Sequence, residues 1–256
     1  MSLEADIAHS ADLIRSSQRL TVLTGAGVSK ESGVPTFRDA LDGLWARYDP
    51  AQLANAAAFQ RDPKLVWDFY EYRREIMRPA KPNPGHTALA ALERRFPAMS
   101  IITQNVDDLH EQAGSRSVIR LHGRISANKC FANCQGSPTP VDVTALEWDR
   151  GSGPPPCPHC GAPVRPDVVW FGEALPGDQL QAAIHASENA DVMLVVGTSG
   201  VVRPAADMPY YAKRHRATLI EINPVESDLT PIIDLWLAGA SGEILPRVLT
   251  ALGAHG

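Results

Sequence analysis

Four short, mostly apolar runs punctuate the chain, at 20–23, 100–103, 192–196 and 218–222. Runs this short, without polar alternation, suit strands buried on both faces of a parallel sheet. Stretches with helical spacing lie among them, at 84–95 and 179–188. Strands alternating with helices predict an α/β fold with a Rossmann-like, doubly wound parallel sheet. Ligands bind such sheets in the crevice at the carboxyl ends of the strands. Here those ends read Thr24-Gly25-Ala26-Gly27, Gln104-Asn105-Val106-Asp107, Gly197-Thr198-Ser199 and Asn223-Pro224, all polar or glycine-rich.

The segment 62–77 predicts a helix, with Asp62 as N-cap and Pro63 at the first helical position. At about 100° per residue, Leu65, Phe69, Tyr72 and Ile76 form one apolar stripe. Lys64, Glu71, Arg74, Glu75 and Arg78 fall mostly on the opposite side, which is expected to be solvated. Arg73 instead projects about 40° from Phe69, beside Val66, Tyr70 and Met77. A guanidinium on an apolar flank calls for an anion, either an acid of the fold or a bound carboxylate.

Composition narrows the class. With 256 residues, 44% hydrophobic and 21% charged, the chain fits one large globular domain carrying an insert and not a disordered chain. A net charge of -5 argues against a dedicated nucleic-acid binder. The most apolar stretch, 192–196, is five residues, far short of the ~20 a membrane helix needs. The start, Met1-Ser2-Leu3-Glu4-Ala5-Asp6, has neither a basic nor an apolar leader region, so a cytoplasmic protein is expected.

All four cysteines fall within 130–160. Three residues lie between Cys130 and Cys134 and two between Cys157 and Cys160, with 22 residues between the pairs. In a reducing compartment two such pairs suit four thiolates around one tetrahedral zinc. Gly136 and Gly161 supply the turn freedom such knuckles use. His159 sits inside a knuckle and is expected to face solvent. Four thiolates leave no open position, so the metal is read as structural. The Gly- and Pro-rich run 151–156 is expected to be a loop.

Gly25-Ala26-Gly27 looks like the start of a dinucleotide phosphate loop, but position 30 is Lys where a third glycine would fall. The longer stretch Gly25-Ala-Gly-Val-Ser-Lys-Glu-Ser-Gly-Val-Pro-Thr-Phe-Arg38 resembles the signature of sirtuins, the NAD-dependent protein lysine deacylases. The resemblance continues through Thr103-Gln-Asn-Val-Asp107, Leu121-His-Gly123, the cysteine pairs, Val168-Val-Trp-Phe-Gly-Glu173, Gly197-Thr-Ser199 and Asn223-Pro224, in family order. It implies a single catalytic core. Residues 1–38, 86–126 and 167–256 would form the NAD-binding part, 39–85 a helical insert with the cofactor loop, and 127–166 the zinc ribbon.

The resemblance also implies roles. Gly25, Ala26, Gly27, Phe37, Arg38 and Trp45 would border the nicotinamide side and phosphates of NAD. Gln104, Asn105, Val106 and Asp107 would hold the nicotinamide ribose and carboxamide. Gly197, Thr198, Ser199, Asn223, Pro224, Val225 and Ala240 would line the phosphates and the adenosine half. Val169, Trp170, Phe171, Gly172 and Val201 would pair with the backbone of an acyl-lysine protein or peptide, with no nucleic acid or membrane involved. His122, with Asn105, would be catalytic. An imidazole with an ordinary pKa near 6.5 can take the ribose-hydroxyl proton that must leave as the acyl group is transferred. Nicotinamide, O-acyl-ADP-ribose and free lysine would be the products.

Within this frame Tyr70 and Arg73 resemble the Tyr-x-x-Arg element of sirtuins that remove succinyl and malonyl groups. Ala54, Ala56, Ala57 and Ala58 are expected to leave room for a longer acyl chain. Two departures stand out: the extra residue in the first knuckle, and Arg203 where relatives often carry Tyr. A zinc-dependent NAD dehydrogenase is disfavoured because four thiolates leave the metal closed. A non-catalytic acyl-lysine reader is disfavoured by the presence of His122, Asn105 and Asp107. Protein mono-ADP-ribosylation remains the alternative chemistry on the same fold.

Overall fold

The computed structural model describes residues 2–36 and 48–253. Phe37, Arg38 and Trp45, assigned above to the cofactor, lie outside the described residues.

Six parallel strands form the main sheet in the order β3-β2-β1-β6-β7-β8. They are β1 (Leu20–Thr24), β2 (Ser100–Thr103), β3 (Val118–Arg120), β6 (Val192–Val196), β7 (Thr218–Asn223) and β8 (Leu235–Ala238). β4 (Gly123–Cys130) and β5 (Val164–Val168) pair antiparallel in a separate two-stranded sheet. Four of the sheet strands match the expected apolar runs; β3 and β8 were not expected.

Alternate side chains of the strands feed two cores. Val22, Leu194 and Ile220 join α1 (Leu3–Ser16), α6 (Pro84–Arg95) and α10 (Ser241–Gly253) on one face. Leu23, Val195 and Leu219 join α8 (Gly177–Glu188) and α9 (Met208–Arg214) on the other. Burial on both faces is why these strands read as unbroken apolar runs.

A third cluster belongs to the insert. It joins α3 (Pro50–Leu53), α4 (Ala56–Arg61) and α5 (Pro63–Met77) to β4 and β5 through Phe59, Phe69, Tyr70, Ile125 and Trp170. The N-cap of α5 is as expected, with Asp62 Oδ1 accepting from Leu65 N at 2.9 Å. Its buried face is rotated from the expected stripe. Val66, Trp67, Phe69, Tyr70 and Arg73 are buried, while Leu65, Tyr72 and Ile76 are only partly so. Arg74, expected in solvent, is half-buried: Nε donates to Ile125 O at 2.7 Å and Nη2 to Asn128 Oδ1 at 2.6 Å. β4 offers these acceptors from across the insert, which a helix-only reading does not contain. The 151–156 loop opens with a short 3-10 turn at Arg150–Ser152. Among the described residues no helix is long and apolar enough to cross a membrane.

Candidate functional site

The chain runs outward from β1 through β2 to β3, then returns to place β6 on the other side of β1. The β1–β6 boundary is therefore the topological switch point, where open α/β sheets form their binding crevice. The two exits touch there. Gly25 N donates to Val196 O at 3.1 Å and Gly27 N to Gly197 O at 2.8 Å. A Cβ on Gly25 or Gly27 would lie 2.8 or 2.7 Å from Gly197 O. Both glycines are thus needed for the strand exits to meet, whatever ligand the loop faces. α2 (Gly27–Lys30) follows at once.

A buried polar chain underlies this loop. Asn105 Nδ2 donates to Ser29 Oγ at 3.1 Å, and Ser29 Oγ donates to Asp107 Oδ2 at 2.8 Å. Leu109 N, at the start of α7 (Leu109–Gln112), donates to Asp107 Oδ1 at 3.0 Å. Burial raises the Asp107 carboxyl, and these two donors partly offset it. The sequence reading gave Ser29 no role; its place in the Gly-x-Gly-x-Ser run was the available signal. Gln104 bridges to the β6 exit, its Nε2 donating to Thr198 Oγ1 at 2.9 Å. Asn223 Nδ2 donates to Thr198 O at 3.0 Å, so the β6 and β7 exits are tied together.

His122 joins β3 to β4. Its Nδ1 is 2.9 Å from Gln104 O, so Nδ1 carries the proton and Nε2 is left as an acceptor. Burial lowers its pKa from 6.5, and the bond to Gln104 pushes the other way. The ring is therefore neutral at neutral pH, the state a base requires.

A cavity of about 860 Å³ brings together Ala26, Ser29, Gln104, Asn105, Val106, Asp107 and His122. Its remaining walls include Tyr70, Arg73, Val169, Trp170, Phe171, Gly172 and Val201. Of the expected small residues, Ala54 lines it and Ala56, Ala57 and Ala58 do not. Gly197, Thr198, Ser199, Asn223, Pro224, Val225 and Ala240 are not on its walls; they follow β6, β7 and β8 at the same end of the sheet.

The segment 169–172 is anchored on one edge. Val169 N donates to His122 O at 3.0 Å and Phe171 N to Ala54 O at 2.9 Å. Trp170 is pinned further, its backbone N donating to Glu173 Oε2 at 2.9 Å. Burial would raise the Glu173 carboxyl, but Arg165 and that N–H hold it below the usual range. Phe171 and Val201 are unusually exposed for their type, at 52% and 40%, and both line the cavity. Arg203 stands beside them, paired with Asp207 and with its guanidinium 5.7 Å from the Tyr210 ring centroid.

On the cavity wall, the buried Trp170 Nε1 donates to the buried Tyr70 Oη at 2.9 Å. Burial pushes the Tyr70 hydroxyl up to about 12, so it stays protonated. Arg73 is 6% exposed, with its guanidinium 5.9 Å from the Phe69 ring centroid. Burial lowers its pKa from the usual guanidinium range, with Tyr70 and Tyr72 opposing that shift.

The four cysteine sulfurs lie within 4.8 Å of one another. Cys130 and Cys160 sulfurs are 3.6 Å apart and those of Cys134 and Cys157 3.8 Å. Four 2.3 Å bonds at the tetrahedral angle place sulfurs about 3.8 Å apart, so the set fits one zinc. Gly136 and Gly161 have φ of 120° and 75°, the left-handed region expected of them. His159 is exposed, and no other ligand joins the set among the described residues.

Comparisons with known proteins agree with this geometry. A family model described as the Sir2 family matches residues 25–204. An NAD-dependent protein deacylase of Pyrococcus abyssi is 50% identical over 243 residues, covering 95% of this chain and 96% of its own. The crystal structure of a Sir2 homologue–NAD complex superposes with a TM-score of 0.87 at 46% identity, covering 96% of this chain and 93% of that one. A Sir2 protein bound to an acetylated peptide gives a TM-score of 0.84 at 33% identity, covering 96% and 98%. The chain belongs to the Sir2 family.

Proposed function

We propose that this chain is an NAD-dependent protein lysine deacylase that takes succinyl- and malonyl-lysine as well as acetyl-lysine. The carrying observation is one cavity whose walls include a neutral His122, with Nε2 available, together with the buried Tyr70 and Arg73. The residues fit NAD. The β1 exit sets Ala26 and the β2 exit sets Asn105 and Asp107 on the cavity wall, with Gln104 reaching across to Thr198 after β6. NAD, when bound, supplies the ribose to which the acyl group is transferred.

This chain's residues do the rest. Gly25 and Gly27 shape the loop, and Thr198, Ser199, Asn223 and Ala240 extend the NAD surface along the sheet. Asn105 and Asp107 orient the nicotinamide ribose. His122 takes a ribose-hydroxyl proton at Nε2 while its Nδ1–H goes on donating to Gln104 O. Val169–Gly172 and Val201 receive the substrate backbone as an added strand. Four thiolates hold zinc as a structural brace, remote from the proton transfer.

The Tyr70 hydroxyl accepts from Trp170, so its own proton can be given to an acyl carboxylate. Arg73, one turn on and on the same wall, offers a planar fork to the same group. Purified protein, NAD and acetyl-, malonyl- and succinyl-lysine peptides, with products read by mass, test the reading. Arg73→Met should lower desuccinylation at least about tenfold, a charged hydrogen bond contributing roughly 1.5–3 kcal/mol, and largely spare deacetylation. Equal loss of both activities would return Arg73 to a structural role.

A further inference from the structure

The peptide unit between Gln104 and Asn105 carries two contacts of opposite sense. Its carbonyl accepts from His122 Nδ1 at 2.9 Å. Its N–H donates to Thr103 Oγ1 at 3.0 Å. A peptide unit is planar, so fixing the direction of the N–H fixes the direction of the oxygen. Thr103 Oγ1 is in turn 2.9 Å from Thr24 Oγ1, and Thr24 Oγ1 is 3.0 Å from His110 Nε2. Thr24 and Thr103 end β1 and β2 side by side, and His110 stands on α7. All three side chains are at most 1% exposed, and none lines the cavity.

We infer that Thr103, Thr24 and His110 form a positioning relay that aims the Gln104 carbonyl at His122 and so holds the base in its working tautomer and orientation. The inference rests on the deacylase reading with His122 as base. The relay touches neither substrate nor cofactor; it acts only through the one peptide unit. Valine would fill the Thr24 and Thr103 positions with the same shape, as Leu23, Ile102 and Val195 do nearby. The hydroxyls are therefore not required to fill space. His110 is held neutral by burial, with His86 and Arg120 adding to the effect, so its ring keeps one state across the working pH range.

The test uses the full-length, zinc-loaded protein and three variants. Thr103→Val removes the acceptor of the Asn105 N–H while keeping the side-chain shape. It should lower kcat/KM for deacylation about tenfold, the effect of roughly one hydrogen bond. The acid limb of the pH profile should also move to lower pH, because the Gln104 bond that raises the His122 pKa is weakened. Thr103→Ser keeps the oxygen and should restore both rate and limb. Thr24→Val breaks the relay one link further back and should move the limb the same way; it carries the test if Thr103→Val does not fold. An acid limb unmoved in the folded valine variants overturns the relay, even if the rate falls, as does failure of Thr103→Ser to rescue. Wild-type protein inactive on every acyl peptide would instead bring down the deacylase reading, and the relay with it.

Discussion

Replacing His86 by Gln should make the protein markedly less sensitive to mild acid. His86 is fully buried at the third position of α6, where its Nδ1 accepts from Asn83 N at 3.4 Å to complete a capping box. Its ring lies 5.0 Å from that of His110. Burial pushes its pKa from 6.5 down to about 4. Between those values the unfolded chain binds a proton that the native state refuses. The contribution of a neutral His86 is therefore complete above about pH 6.5 and is lost as pH falls toward 4, at about 1.4 kcal/mol per pH unit. By pH 5 the loss is about 2 kcal/mol, a sizeable part of the roughly 5–15 kcal/mol that holds a domain together. Glutamine is the ordinary capping-box partner, so the acceptor for the Asn83 N–H survives without the titration. Urea unfolding of both proteins at pH 7 and pH 5 gives two stability losses. The wild-type loss should exceed that of His86→Gln by about 2 kcal/mol. Acid effects on the zinc thiolates are common to both proteins and cancel; His110, its pKa pushed down to about 3 chiefly by burial, is uncharged in the native state at both pH values and drops out as well. Equal losses would refute the reasoning and mean that the buried ring is already relieved of its charge penalty by another route.

Three further outcomes are expected. His122→Ala should fold and bind NAD, as isothermal titration can show, yet deacylate about 10²–10⁴-fold more slowly; near-normal turnover would remove it as base. Elemental analysis of protein purified without chelator should find one zinc per chain, and Cys157→Ser should lower that content and expose the ribbon to protease; a metal-free wild type with an intact ribbon would contradict it. Gly27→Ala should unfold at lower temperature than wild type, because its Cβ would sit 2.7 Å from Gly197 O and neither backbone has room to retreat; an unchanged midpoint would show that the two loops separate freely.

The legible parts of this molecule are those where local sequence and tertiary environment agree. β1, β6 and most of β7 are buried on both faces, so their apolar runs declare them. β3 and β8 are short edge strands, partly exposed and carrying Arg120 and Trp236, and no periodicity exposes them. The cysteine spacing suffices for the metal because both knuckles are local. The burial of Arg73 could be read from its angle to Phe69, but the half-burial of Arg74 could not, since its acceptors come from β4, 51 and 54 residues away. Ser29 and His110 were missed for the same reason. Each acquires its meaning from partners 76 to 86 residues distant that only the folded sheet assembles.

The position of α5 makes the cysteine ribbon and one wall of the cavity parts of one mechanical unit. Trp67 on this helix packs in the buried cluster that contains Cys130 and Cys157, while Tyr70 and Arg73, one to two turns along, face the cavity. Arg74, with its guanidinium 5.4 Å from the Trp67 ring centroid, clamps the same helix to β4. A change in the ribbon therefore reaches the Tyr70–Arg73 wall of the cavity through a rigid rod about 9 Å long from Trp67 to Arg73, at 1.5 Å per residue. Substitutions around the four cysteines can thus shift the Tyr70–Arg73 wall of the cavity without altering a residue on it.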